Sequence, residues 1–182
     1  MNNIDHSRRK WLGIGLAAMG IGLFSHRALS SLTTPRPRSL HIDNLHTGET
    51  IKAEFFNGHH YNKSELTRLN YLFRDYRKNE IKAIDPKLFD QIYLLQMLMG
   101  INKCVQLVSG YRSLNTNEML RHKSKGVAKH SYHTLGQAMD FYIDGVQLAH
   151  IHKAALKMSA GGVGFYPKSN FIHIDTGPVR KW

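Results

Sequence analysis

Ser131-Tyr132-His133-Thr134-Leu135-Gly136-Gln137-Ala138-Met139-Asp140 sets an imidazole and a carboxylate seven positions apart, at the entry to an apolar run. Residues 137–143 read as a strand that stops at the Asp144-Gly145 turn. His133 then lies in the loop before the strand, and Asp140 lies within it. A turn followed by a strand can bring the two side chains back to one point, and the small Gly136 and Ala138 leave room for that approach. Residues 171–175 read as a later strand. His173 and Asp175, two apart on it, face the same way.

Outward from these strands the chain alternates short elements. Residues 39–45 and 49–55 flank the turn His46-Thr47-Gly48 and predict a β-hairpin. Leu66, Leu69, Asn70, Phe73 and Tyr76 recur close to helical spacing, predicting a helix between Ser64 and Asn79. Asp85 as N-cap, Pro86 in the first turn and Gly100 at the C-terminus bracket a second helix. Residues 104–108 form a β-branched run suited to a core strand, and residues 115–123 predict a short helix. Residues 147–158 form a helix stopped by Gly161-Gly162. Residues 163–166 and 171–175 pair around Pro167-Lys168-Ser169-Asn170. The order predicts an α+β domain over residues 39–182, a small antiparallel sheet with helices packed on one side.

The chain has 182 residues, 25 Lys+Arg and 13 Asp+Glu, for a formal net charge of +12. Arg8, Arg9, Lys10 and Arg27 against Asp5 account for part of this and leave +9 on the remainder. The bases are scattered, with no clustered stripe and no nucleic-acid reading module, so no nucleic-acid partner is expected. Cys104 is the only cysteine, which excludes an intramolecular disulfide and a zinc site built on several cysteines. Its apolar surroundings predict an inert thiol.

The first thirty residues read as an address. Ser7-Arg8-Arg9-Lys10-Trp11-Leu12 precedes an apolar, Gly-rich run to Phe24, short for a membrane span and suited to a signal peptide. The paired arginines resemble a twin-arginine export signal. Ala28-Leu29-Ser30 offers a cleavage site, and an uncleaved anchor is the alternative. Residues 31–38, with Pro35 and Pro37, form an extended leader.

Two imidazoles and one carboxylate, His133, His173 and Asp140, make a familiar catalytic zinc set with a fourth position open to water. Such an ion polarises a scissile carbonyl and acidifies its water, so no serine or cysteine nucleophile is needed. Ser109-Gly110-Tyr111-Arg112-Ser113, at the end of the core strand, adds an Arg fork able to bind a carboxylate bidentately. Alone, that turn reads equally well as a surface loop with a solvated arginine.

The Ser-Gly-Tyr-Arg-Ser turn, the Ser-x-His-x6-Asp string and Phe171-Ile172-His173-Ile174-Asp175 together resemble the LAS group of zinc peptidases. That group includes lysostaphin-type enzymes, D-Ala-D-Ala metallopeptidases and the hedgehog signalling domain. The likeness is greatest to exported murein endopeptidases. It runs over nearly the whole chain, including Leu45-His46-Thr47-Gly48-Glu49, Phe73-Arg74-Asp75-Tyr76-Arg77 and Gly161-Gly162-Val163-Gly164.

The resemblance implies one Zn2+ on His133, Asp140 and His173, and a substrate carboxylate on Arg112, with Ser131 and Tyr111 also on the substrate side. It implies cleavage of D-Ala–diaminopimelate and diaminopimelate–diaminopimelate cross-links of peptidoglycan. The setting is the periplasm of a Gram-negative bacterium, reached through the twin-arginine translocation machinery. One departure stands out. Several relatives carry an acidic general base three residues before the last histidine ligand, where this chain has Asn170; others have His-x-His where this chain has His173-x-Asp175. Asp175 is then a candidate base, a carboxylate that orients a ligand imidazole, or itself a ligand. A carboxypeptidase on stem peptides and a non-catalytic zinc-containing binding module are the competing functions.

Overall fold

The computed structural model describes residues 36–124 and 126–182. The expected export signal over residues 1–30, and residues 31–35 of the leader, lie outside them. Strands β1 (Pro37–Asn44) and β2 (Thr50–Asn57) form the expected antiparallel hairpin. Asn44 builds its turn: the side-chain oxygen accepts from the backbone N–H of His46 at 2.9 Å and of Thr47 at 3.3 Å.

Helix α1 spans Lys63–Leu72 and ends sooner than the periodicity predicts. Phe73 and Tyr76 keep helical spacing, but Asp75 leaves the helix to pair with Glu80 in a bridge. Its buried carboxylate accepts from the Ser113 N–H at 3.0 Å and the Ser113 hydroxyl at 2.7 Å. A charged group with tertiary partners outweighs a short continuation of local pattern.

Helix α2 (Pro86–Met99) matches its signals. Asp85 accepts from the Lys87 N–H, and Gly100 closes the helix at φ +65°. Strand β3 (Val105–Ser109), helix α3 (Leu114–Lys123, capped by Ser113), strand β4 (Ala138–Ile143) and helix α4 (Leu148–Met158) follow. The chain closes with β5 (Gly162–Tyr166), β6 (Phe171–Asp175) and the short β7 (Arg180–Lys181). Among the described residues no helix is long and apolar enough to cross a membrane.

The strands form one seven-stranded sheet, in the order β2-β1-β3-β4-β6-β5-β7. The antiparallel set β3-β4-β6-β5 is the sheet expected from the later half of the chain. The hairpin joins it through a parallel β1–β3 pairing, and β7 adds to β5 in parallel, so the whole sheet is larger and mixed. The architecture is α+β.

Alternation along the strands separates core from site. Met139, Phe141 and Ile143 of β4 and Ile172 and Ile174 of β6 point into one cluster with Leu88, Phe89 and Ile92 of α2 and Ile151 of α4. Each fully buried aliphatic or aromatic side chain there contributes about 1.5–3 kcal/mol of transfer free energy. Helices α1, α2 and α4 cover this face as expected, whereas α3 adds nothing to the cluster. The intervening positions, Asp140, His173 and Asp175, are thereby turned to the opposite face.

Candidate metal centre and its cleft

Asp140 and His173 stand directly opposite each other across the β4–β6 pairing. His133 arrives from a 3-10 turn, Tyr132–Leu135, whose first N–H groups are capped by Ser131: its side-chain oxygen accepts from the His133 N–H at 3.3 Å. Gly136 closes the turn at φ +71°. A Cβ at Gly136 would meet the Ala83 carbonyl oxygen at 2.5 Å, so the glycine is required by space as well as by φ.

Three donor atoms converge on the open face. His133 Nε2 lies 3.2 Å from Asp140 Oδ1 and 3.3 Å from His173 Nδ1, and His173 Nδ1 lies 2.8 Å from Asp140 Oδ1. The outer nitrogen of each imidazole is already committed. His133 Nδ1 donates to the Gly110 carbonyl at 2.7 Å, and His173 Nε2 donates to Asp175 Oδ2 at 3.0 Å. With the outer nitrogens protonated, both inner nitrogens present lone pairs toward a carboxylate oxygen. Three acceptors facing one another repel unless a cation or a proton sits among them; burial opposes a charge on His173, but Asp140 and Asp175 outweigh it and raise its pKa.

The chemistry of that set fits a divalent ion, two imidazole nitrogens and one carboxylate oxygen being the donor set of many catalytic zinc sites. Imidazoles oriented by a carbonyl and a carboxylate behind them are equally characteristic of metal sites. Burial opposes the charge on Asp140, yet His133 and His173 outweigh it and hold the carboxyl well below the usual range. Burial drives His133 toward its neutral form. His41, Asp43 and Cys104 form a second possible set, but Thr50 and Gln106 already donate to Asp43. Burial, with Asp43 beside it, pushes the Cys104 thiol up to about 12.

Asp175 is fully buried and lies behind His173, across the ring from the convergence point. Its oxygens accept from the Gly162 and Gly177 N–H groups at 3.1 and 2.9 Å and from the Arg180 guanidinium at 3.0 and 2.6 Å. Burial is again outweighed, by His173 and Arg180, and the carboxyl sits well below its ordinary value. Gly162 makes the arrangement possible, since a Cβ there would lie 2.5 Å from Asp175 Oδ2. Arg180 is a site residue that no motif or periodicity signals from the sequence.

The turn Ser109–Ser113 locks onto the candidate metal centre from the side. Gly110 supplies the carbonyl that orients His133, and the Arg112 N–H donates to the His133 carbonyl at 3.2 Å. The Arg112 guanidinium reaches Asp140 Oδ2 at 3.3 Å, and its buried Nε has no acceptor. Tyr111 departs from its expected place. It is packed into the core with its hydroxyl donating to Glu80, so it does not reach the cleft.

The three donors open into a cleft of about 470 Å³, which Arg112, Ser131, Arg77 and His130 also line. Trp182 forms part of one wall, its ring 5.2 Å from that of His173 and its indole N–H donating to the Tyr166 hydroxyl at 2.6 Å. Asp140 is the one carboxylate among the described residues lining the cleft. Asn170 is exposed, in a left-handed turn at φ +54°.

A protein-family model described as Peptidoglycan L,D-endopeptidase MepK matches residues 32–182. A protein of that name from Escherichia coli (strain K12) is 60% identical over 182 residues, which is all of both chains. A Shigella flexneri protein of the same name has the same identity and coverage. A Haemophilus influenzae protein named "Probable peptidoglycan L,D-endopeptidase MepK" is 45% identical over 183 residues, covering 100% of this chain and 98% of that one. No solved structure matches. With a match over residues 32–182 and full-length relatives at this identity, the chain belongs to the peptidoglycan L,D-endopeptidase MepK family of peptidases.

Proposed function

We propose that this protein is an exported, zinc-dependent endopeptidase that cuts peptide cross-links of peptidoglycan, acting in cell-wall growth or remodelling. The observation that carries the reading is the convergence of His133 Nε2, Asp140 Oδ1 and His173 Nδ1, all within 3.3 Å of one another, at the floor of a cationic cleft. A zinc ion held by these atoms supplies a Lewis acid for the scissile carbonyl and lowers the pKa of a water.

The chain's own groups do the rest. Gly110 and Asp175 hold the two imidazoles in the tautomers that present lone pairs. Arg112 steadies Asp140 through one arm and lines the cleft, where its guanidinium is placed to meet a substrate carboxylate. The proposed bonds are D-Ala–diaminopimelate and diaminopimelate–diaminopimelate, whose flanking carboxylates suit the positive cleft. Asp175 acts as a positioning residue for His173, because five hydrogen bonds fill its lone pairs and it does not line the cleft. Export through the twin-arginine route to the periplasm belongs to the same reading, motivated by Arg8 and Arg9 before the apolar run.

A second reading has one observation in its favour. Asp140 is the only carboxylate among the described residues lining the cleft, so a non-catalytic zinc-containing peptidoglycan-binding module fits as well as an enzyme whose proton acceptor is not a carboxylate. Digestion of purified sacculi with zinc-loaded protein, with and without chelator, separates the readings. Cross-linked dimers converted to monomers only without chelator support the endopeptidase, and loss of a terminal D-amino acid alone indicates a carboxypeptidase. Binding without cleavage supports the module.

A further inference from the structure

Two sequence motifs near the cleft, Leu45-His46-Thr47-Gly48-Glu49 and Phe73-Arg74-Asp75-Tyr76-Arg77, supply no metal ligand, and their charged groups can be followed one by one. Arg74 donates to Glu49 through both terminal nitrogens, at 2.7 and 3.1 Å, which ties the motifs together. Asp75 accepts from Ser113 and so fixes the turn that carries Arg112. Phe73 is buried in the core. Tyr76 stacks on His46, ring centroids 4.4 Å apart.

Arg77 is the exception. Its guanidinium lies over the Tyr76 ring, 4.3 Å from the centroid, and it has no acidic partner among the described residues. It lines the same cleft as Arg112 and the three metal-site donors. A guanidinium stacked on an aromatic ring gives up little rotamer freedom on binding, and its planar fork matches a carboxylate. His46, beside it, is held toward its neutral form, first by burial and then by the charge of Arg77. The cleft therefore carries three guanidinium groups, of which Arg180 is paired with Asp175. Arg112 is partly committed to Asp140, whereas Arg77 is uncommitted.

We propose that Arg77 is a second carboxylate-binding residue of the cleft, selecting peptides that carry a free carboxylate in addition to the one met by Arg112. The proposal deepens the peptidase reading and rests on it for the substrate class, a cross-linked stem peptide. The Tyr76–His46 stack is the platform that holds the guanidinium in place. A charge-assisted pair of this kind changes affinity by about tenfold to a hundredfold.

The test uses the full chain as wild type, Arg77→Ala and Arg77→Lys, with muropeptide dimers whose carboxylates are free or carbodiimide-amidated. Binding is measured by calorimetry on metal-free protein, and kcat and KM on the zinc-loaded enzyme. The expected result is tighter binding of free than of amidated dimers by wild type. Arg77→Ala should reduce that difference by about tenfold or more while leaving the part that Arg112 supplies, Arg77→Lys should restore part of the loss, and the kinetic loss should fall in KM. Thermal melting checks that the variants fold. Equal discrimination by wild type and Arg77→Ala overturns the proposal, as does a loss in Arg77→Ala that is the same on both dimers. Should wild type cleave neither dimer, the peptidase reading fails, and the binding comparison still decides the role of Arg77.

Discussion

The Nδ1–H of His133 donates to the carbonyl of Gly110 at 2.7 Å, so a turn 23 residues earlier in the chain sets which nitrogen of the imidazole faces Asp140 and His173 at the candidate metal position. Gly110 is close-packed in its own right, since a Cβ there would lie 2.6 Å from the Phe73 carbonyl oxygen. Gly110→Ala is expected to shift the turn, weaken zinc binding and lower activity together. Overpacking of this kind costs about 1–3 kcal/mol. Calorimetric zinc titration beside a thermal melt checks it; unchanged affinity in a destabilised protein would separate the turn from the metal centre.

Asp175→Asn discriminates between a positioning role and a base. Removing a carboxylate that orients a ligand histidine typically lowers metal affinity about 10–100-fold. Asp175→Asn should therefore bind zinc more weakly and regain much of its activity when zinc is raised to saturation. Full zinc affinity with a collapsed kcat would instead make Asp175 the base.

Asp75 links helix end, turn and cleft, and its removal is read best through pH. Burial raises its pKa, but the neighbouring Thr116 and Ser113 hydroxyls and the Ser113 amide outweigh that, so the folded value lies below the ordinary one. Its contribution is then complete above the unfolded pKa of about 3.9 and is lost as pH falls through the folded value. Asp75→Asn should melt lower than wild type at pH 7, by ~2–4 °C for each kcal/mol lost. The gap should narrow toward pH 2. A gap of constant size over that range would show that the charge is not what stabilises the turn.

Cys104 should be chemically quiet. With the thiol pushed up to about 12, a disulfide reagent at pH 8 is expected to react far more slowly with it than with a free cysteine. Cys104→Ala should keep full hydrolytic activity. Rapid labelling coupled to inactivation would bring the thiol into the chemistry.

Much of the centre was legible because strand alternation is a strict period. Once residues 171–175 read as a strand, His173 and Asp175 were bound to share a face, and the β4–β6 register then places Asp140 opposite His173. The caps of α2 were equally plain, since Asp85-Pro86 and Gly100 act within a few residues of themselves. What was hidden depends on contacts distant in sequence. Asp75 breaks the helical pattern for Ser113, 38 positions away, and Tyr111 turns from the cleft toward Glu80. The parallel β1–β3 pairing that enlarges the sheet has no local signature, and neither does Arg180 beneath Asp175.

The central claim is that His133, Asp140 and His173 form one metal centre, and zinc titration of metal-free protein by calorimetry tests it most directly. The account predicts one tight site per chain, lost or weakened by orders of magnitude in His133→Ala, Asp140→Ala and His173→Ala alike, and untouched in Cys104→Ala. A tight zinc site that survives any of the three ligand substitutions unchanged would contradict it.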